Sequence, residues 1–339
     1  MEYAKLGWSG IEVSKVCLGG MSFGEASPDF HQWTIDQSAT QEVIKHALDA
    51  GINFIDTANV YAFGTSEEYI GKSLKNLGVK REDVVLASKV HFNEGGLSAE
   101  AIEREIEGTL KRLDTDFLDL YIIHRFDYDV SMEETLEALH KLVKAGKVRA
   151  LGASAMYAYQ FHNMQVIAER EGFTKFTSMQ NHYNLLYRED ERELVPVCKQ
   201  YDVALTPYSP LASGHLTRVN WDSDSTRSKT DKTMVNKYDL AKAQDEPIIA
   251  RVKQVADEKG TSMARVALAW LLAIGCTSPI VGCSKPERVD DAVAAVDLKL
   301  TEDEIDLLEE PYVAHELVGP KSRPGEKALA GTTKVKFSK

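Results

Sequence analysis

Eight short apolar runs, each followed by an amphipathic helical pattern, constrain this chain more than any other feature of its sequence. The runs are Val16–Met21, Asn53–Ala58, Val84–Lys89, Leu118–His124, Val148–Ala153, Phe176–Gln180, Val203–Pro207 and Pro279–Cys283. Their Val, Ile and Leu content, without strict alternation, reads as strands buried on both faces, and such strands belong to parallel sheets covered by helices.

The intervening segments carry helix signals. Ser38-x-x-Gln41 and Ser131-x-x-Glu134 match the capping box, in which a hydroxyl and a side chain three residues on satisfy free amides reciprocally. Ile102, Ile106, Leu110 and Leu113 repeat at helical spacing, as do Leu136, Leu139, Leu142 and Val143. Gly51 and Gly146 stand where a helix ends before the next strand. An open doubly wound sheet usually carries a glycine fingerprint after its first strand, but the turn here, Gly19-Gly20-Met21-Ser22-Phe23-Gly24, is not GxGxxG. A closed (β/α)8 TIM barrel is therefore expected, with all 339 residues in one domain. Tyr3–Leu6 and Val13–Val16 flank a Gly-Trp-Ser-Gly-Ile turn and predict an N-terminal β-hairpin plugging the barrel's bottom. A long polar loop, His215 to Glu246, follows strand seven of the barrel, and a tail of about residues 312–339 turns basic from Lys321.

Composition narrows the function classes. Apolar and charged residues make up 43% and 27% of the chain, so a full core is expected. The net charge of -12 repels phosphate backbones and anionic membranes, which argues against nucleic-acid or membrane partners. No stretch approaches the roughly 20 apolar residues of a membrane span, and the first residues lack a signal-peptide run. Cys17, Cys198, Cys276 and Cys283 have neither disulfide-framework nor zinc-ligand spacing, so a reducing cytoplasm is the expected location.

In such a barrel the chemistry lies at the C-terminal ends of the strands. There the second run leads into Asp56 and, five residues on, Tyr61; the third ends at Lys89 and the fourth at His124. Singly, each has a plain structural role open to it: a cap, a rim contact, a solvated amine, a hydrogen-bonded imidazole. Together they converge on one mouth. A tyrosine keeps its proton at neutral pH, and a neighbouring ammonium eases its release. Asp56 would hold Lys89 charged, and His124 would bond a substrate oxygen beside Tyr61. The set suits protonation of a carbonyl oxygen, with the hydride drawn from a cofactor, since no side chain supplies one. Lys89 as the Schiff-base lysine of an aldolase is the rival reading of the same residues.

From Leu6-Gly7 to about Leu308 the sequence resembles the aldo-keto reductases, on Asp56-Thr57-Ala58 with Tyr61 and Gly64-x-Ser66-Glu67, Ala87-Ser88-Lys89, Ile123-His124, Leu151-Gly152-Ala153-Ser154, Gln180-Asn181 and Tyr208-Ser209-Pro210-Leu211. The run Gln180–Leu185 and the segment Trp33–Gln37 look most like bacterial members of broad carbonyl specificity. The resemblance implies a catalytic tetrad of Asp56, Tyr61, Lys89 and His124, with Tyr61 as general acid, and a small-molecule aldehyde or ketone as substrate. It implies cofactor contacts from Gly20, Met21, Asp56, Ser154 and Gln180, with Ser154 and Gln180 on the nicotinamide carboxamide and Tyr208 stacking on its ring. Ser209, Leu211 and Gly214 match the pyrophosphate stretch, and Gly282, Ser284, Lys285, Arg288 and Asp291 the adenosine-phosphate segment. Ser284, Lys285 and Arg288 at a helix start favour NADPH (NADP+) over NADH. Two positions depart from the family's pattern, Ala155 and Ala292, where many members have Asn. Some relatives act as cofactor-binding subunits of potassium channels, which is the alternative role. Phe23, Trp33, Tyr61, His124, Tyr157 and Trp221 are candidate pocket walls, with His91, Phe92 and Asn93 near the mouth.

Overall fold

The computed structural model describes residues 1–224, 226–231, 237–238 and 241–312. The tail beyond residue 312 lies outside the described residues.

All eight predicted strands form. In chain order after a two-stranded hairpin of β1 (Tyr3–Lys5) and β2 (Glu12–Ser14), they are β3 (Cys17–Gly19), β4 (Phe54–Asp56), β5 (Val85–Val90), β6 (Leu118–Ile123), β7 (Val148–Ser154), β8 (Phe176–Gln180), β9 (Ala204–Leu205) and β10 (Ile280–Gly282). Every paired neighbour is parallel, in the order β10-β3-β4-β5-β6-β7-β8-β9. The remaining seam is bridged by backbone bonds: Thr277 N–H donates to Leu205 O and Ile280 N–H to Pro207 O, both at 2.9 Å. Pro207 has no N–H to give but accepts, so a ladder ending in proline can still close. The fold is a (β/α)8 barrel.

Two apolar layers follow from the strand period of two. Inside the barrel, Cys17, Phe54, Val85, Ala87, Leu120, Ile122, Ala150, Ala204 and Ile280 pack together, with Leu6, Ile11 and Val13 of the hairpin closing the bottom as expected. Outside, Leu18, Ile55, Leu86, Tyr121, Ile123 and Leu151 meet the helices. After α1 (Gln37–Asp49) and α2 (Thr65–Asn76), the helix α3 (Ala99–Leu113) buries Ile102, Ile106, Leu110 and Leu113, and α4 (Met132–Lys144) buries Leu136, Leu139 and Leu142, with Val143 at the margin. Gly51 and Gly146 sit at φ +87° and +76° just past helix ends, the left-handed position that glycine takes without strain.

Three local expectations change. The helix α1 (Gln37–Asp49) is capped by Asp36, whose side chain accepts from Ala39 N–H at 2.9 Å, and not by Ser38. A carboxylate two residues earlier caps as well and also suits the helix dipole. Ser131 does cap α4, but Glu134 turns away from it and accepts from Ala99 N–H at 3.0 Å, tying two helix starts together. The long loop after β9 contains a 3-10 segment (Ala212–Thr217) and a short helix (Thr226–Thr230), and residues 242–246 already belong to the helix Lys242–Glu258.

Candidate active site

The inward parity of the strands decides which side chains meet at the mouth. Phe54, Ala87 and Ile122 face the interior, so Asp56, Lys89 and His124, each two residues on, face it one layer higher. Ala150 on β7 sets the same parity for Ser154, and the register pairs Ser154 with Gln180. The strand ends are tied above the ladder by Thr57 N–H to Ala87 O (2.9 Å) and His124 N–H to Val90 O (2.9 Å).

Lys89 is fully buried and its ammonium uses all three protons: to Asp56 Oδ1 at 2.5 Å, Thr57 O at 2.7 Å and Tyr61 Oη at 3.3 Å. Asp56 Oδ2 accepts in turn from Gln180 Nε2 at 2.9 Å. Burial alone would push the Lys89 ammonium down, but Asp56 and Tyr61 outweigh it and its pKa stands above the ordinary value. A Schiff-base lysine needs a neutral amine with a free lone pair, and this environment opposes both.

Tyr61 starts a tight segment (Tyr61–Gly64) in which Ala62, Phe63 and Gly64 have φ of 46°, 55° and 94°. Burial raises the Tyr61 phenol above its ordinary value; Lys89 is the largest opposing influence and Asp56 adds to the rise. The net depression expected from the neighbouring ammonium therefore does not appear, because desolvation of the phenolate is the larger effect. The His124 ring meets that of Tyr61 edge-on at 5.7 Å. Its pKa is held well below the usual histidine value, first by burial, then by Lys89, Arg125 and His91, so it is a neutral imidazole at pH 7.

The segment Gly64-x-Ser66-Glu67 acts from behind. Ser66 Oγ bonds Thr57 Oγ1 and donates to Gly20 O, each at 2.8 Å, while buried Glu67 takes Ser88 Oγ at 2.5 Å and Arg112 Nε at 2.6 Å. Gly20 opens the turn after β3 with Met21 half-buried beside it, and a Cβ on Gly20 would come within 3.0 Å of Asp56 O. That turn is thus pressed against the strand carrying Asp56.

The other residues named for the cofactor divide into groups. Ser154 and Gln180 are buried at the mouth, and Gln180 keeps its carbonyl oxygen free of Asp56. Tyr208 continues an aromatic column, Tyr187 on His182 at 4.4 Å and His182 on Tyr208 at 5.3 Å, and its buried hydroxyl has no partner among the described residues. Beyond it Ser209, Ala212, Ser213 and Gly214 all have left-handed backbone, at φ 54°, 47°, 54° and 99°, with Leu211 between them. With Ala62, Phe63 and Ala155 (φ 48°), strained non-glycine residues gather at this mouth; among the described residues only Asp114 and Asp202 lie elsewhere. After β10, the neighbour of β9 across the closing seam, Arg288 Nη1 donates to Ser284 Oγ at 3.1 Å beside exposed Lys285, and exposed Gly282 borders open space. Asp291 instead faces the neighbouring helix, accepting from Arg265 Nε at 2.8 Å and Ser262 Oγ at 3.3 Å, and Ala292 is buried in the core.

Among the candidate walls, Phe23 is wholly buried core and lines nothing, and Trp221 is buried against His215 at 4.2 Å. Trp33 is half-buried under Arg227, and Tyr157 lines a cavity with His91 and Arg125. Two residues were not singled out from the sequence. Lys237, from the long loop, donates to Ser209 Oγ at 3.2 Å and lies 4.7 Å over the Tyr208 ring, with burial and Arg227 bringing its pKa down to about 7. Arg125 directly follows His124 and stacks on Phe92 at 4.6 Å. A charge one residue past a strand end was the available signal for Arg125; nothing local marks Lys237.

The profile of the Aldo/keto reductase family matches residues 15–312. Versiconal hemiacetal acetate reductase of Aspergillus parasiticus is 42% identical, with 96% of this chain and 100% of that protein covered. A candidate aryl-alcohol dehydrogenase of Schizosaccharomyces pombe is 43% identical over 91% of this chain and 95% of its own length. Aldo-keto reductase AMT2 of Alternaria alternata is 40% identical, covering 92% of each. These relatives are fungal, whereas the sequence motifs alone point to bacterial members.

Proposed function

The chain belongs to the aldo/keto reductase family, and from that premise we propose that it reduces small aldehydes or ketones to alcohols with NADPH, Tyr61 serving as the general acid. The observation that carries the reading is the saturated Lys89 ammonium between Asp56 and Tyr61. When bound, the nicotinamide cofactor supplies the hydride. Tyr61 Oη holds the proton for the substrate oxygen and, being raised in pKa, still carries it at neutral pH. Lys89 stabilises the phenolate left behind, and Asp56 keeps Lys89 charged and fixed. Neutral His124, edge-on to Tyr61, orients the carbonyl oxygen through a ring nitrogen.

The residues fit such a cofactor. Gln180 and Ser154 would hold the carboxamide, Tyr208 would stack on the ring, and the loop shaped by left-handed Ser209, Ala212, Ser213 and Gly214 would hold the pyrophosphate. Ser284, Lys285 and Arg288 form the cationic end that favours the additional phosphate of NADPH. We assign the protein to a reducing cytoplasm, a reading supported by its four buried, unpaired cysteines. Among the described residues no helix is long and apolar enough to cross a membrane.

Titration with NADPH and NADH, followed by tryptophan fluorescence, tests the cofactor assignment. NADPH should bind more tightly, and Arg288→Ala should weaken it by about tenfold or more while NADH changes little. Equal weakening of both would remove Arg288 from the phosphate site.

A further inference from the structure

Beside the tetrad, a cavity of about 240 Å³ opens between the loops that follow β6 and β7, lined by Arg125, His91 and Tyr157 among others. Arg125 is half-buried there, and among the described residues its guanidinium has no carboxylate partner and no hydrogen-bond acceptor. Other partly buried arginines behave differently: Arg81 reaches Asp119, Arg112 reaches Glu67, and Arg188 reaches both Glu191 and Glu309. A desolvated, unpaired guanidinium is unfavourable, and burial accordingly pulls the Arg125 pKa down.

The position of Arg125 ties it to the reaction. One ring, Phe92, meets His124 edge-on at 4.9 Å and carries the Arg125 guanidinium at 4.6 Å, so the cation lies one aromatic ring away from His124. Three further buried polar atoms nearby have no partner among the described residues, His91 Nδ1, His124 Nδ1 and Tyr208 Oη. The cavity also has two carboxylates in its wall. Asp127 is occupied locally, accepting from Leu97 N–H at 2.8 Å and Asp129 N–H at 2.9 Å, and Asp129 is exposed to solvent.

We propose that Arg125 is a specificity-determining residue that binds a carboxylate on the carbonyl substrate, so that the site prefers oxo acids and carboxylated aryl aldehydes in which a few bonds separate the two groups. The guanidinium fork matches a carboxylate in two parallel hydrogen bonds, and Phe92 holds its plane. An anion there completes a pairing that the folded chain leaves open. The proposal rests on the reductase reading above and names the substrate class for that same site.

The test compares 4-carboxybenzaldehyde with 4-nitrobenzaldehyde, alike in outline but differing in charge, in the full-length protein with saturating NADPH. Wild type should give the lower KM with the carboxylated aldehyde. Arg125→Met should raise that KM about tenfold to hundredfold, leave the KM for the nitro compound nearly unchanged, and alter kcat little, because the contact is made equally in ground and transition states. Arg125→Lys, keeping charge without the fork, should fall between. Equal KM values in wild type, or an equal rise for both aldehydes, would overturn the proposal while leaving the reductase reading intact. A matching loss of NADPH affinity in Arg125→Met would assign Arg125 to the cofactor and likewise overturn it. If wild type reduces neither aldehyde, the reductase reading fails and this proposal fails with it. Should Arg125→Met not fold, the wild-type KM ratio alone decides.

Discussion

Replacing Lys89 with Met probes the part of the site that everything else leans on. Lys89 Nζ and Asp56 Oδ1 are 2.5 Å apart, with side-chain exposures of 0% and 3%, so neither charge has water to fall back on. After Lys89→Met, Asp56 keeps, among the described residues, only the Gln180 amide at 2.9 Å. Removing one member of a buried pair typically costs about 3–5 kcal/mol, and the Met variant should lie in that range. Asp56→Asn should cost less, since Lys89 retains Thr57 O and the Tyr61 hydroxyl. The double variant buries no charge at this point, so its loss should fall short of the sum of the single losses by about 3 kcal/mol, the upper end for residues in contact. Urea unfolding followed by circular dichroism gives all four corners of the cycle. The sign with pH is also fixed. The folded Lys89 pKa is raised, so its contribution is complete below the unfolded value of about 10.4 and is lost only as pH climbs through the folded one. The coupling should therefore be the same at pH 7 and pH 9. Additivity within about 0.5 kcal/mol would mean that Lys89 and Asp56 are not coupled, which a pair this close and this buried does not allow.

Two more outcomes follow from other residues. His124 is held neutral, so the rate of carbonyl reduction should show no inflection near pH 6.5; because the unfolded chain takes up the proton that folded His124 refuses, stability should fall as pH drops below about 6.5. Urea midpoints from pH 5 to 7 should show that slope weakened in His124→Gln, and an NMR titration placing folded His124 near 6.5 would contradict both statements. Ala155 sits at φ 48°, where Asn is tolerated better than Ala, so Ala155→Asn should stabilise the protein by about 0.5–1 kcal/mol in the same unfolding assay, and a loss of stability would show that its buried position has no room for the amide.

The barrel and the convergence of Asp56, Lys89 and His124 on one mouth were legible because both depend on short-range pattern. Buried parallel strands advertise themselves as apolar runs, and a polar residue two positions past an inward apolar one must point into the mouth. Asp56, Lys89 and His124 meet for that reason alone. What stayed hidden depends on neighbours distant in sequence. Phe23 reads as a pocket wall until the helix packing around it shows it to be core. That Asp291 pairs with Arg265, 26 residues away, is likewise invisible to local spacing. The net rise of the Tyr61 pKa turns on how deeply the phenol is desolvated, which no spacing reports. Arg125 stands in plain view after His124, but that its guanidinium has no partner among the described residues is visible only in the folded chain.

In the proposed reaction Tyr61 hands a proton to a carbonyl oxygen inside an intact cofactor site. Tyr61→Phe removes one hydroxyl from a segment whose backbone is fixed by its own strained turn. NADPH-linked reduction of 4-nitrobenzaldehyde should fall by about 10²–10⁴-fold, the worth of a positioned general acid, while NADPH titrates the variant with unchanged affinity. Retention of wild-type turnover with unchanged NADPH binding would contradict the account.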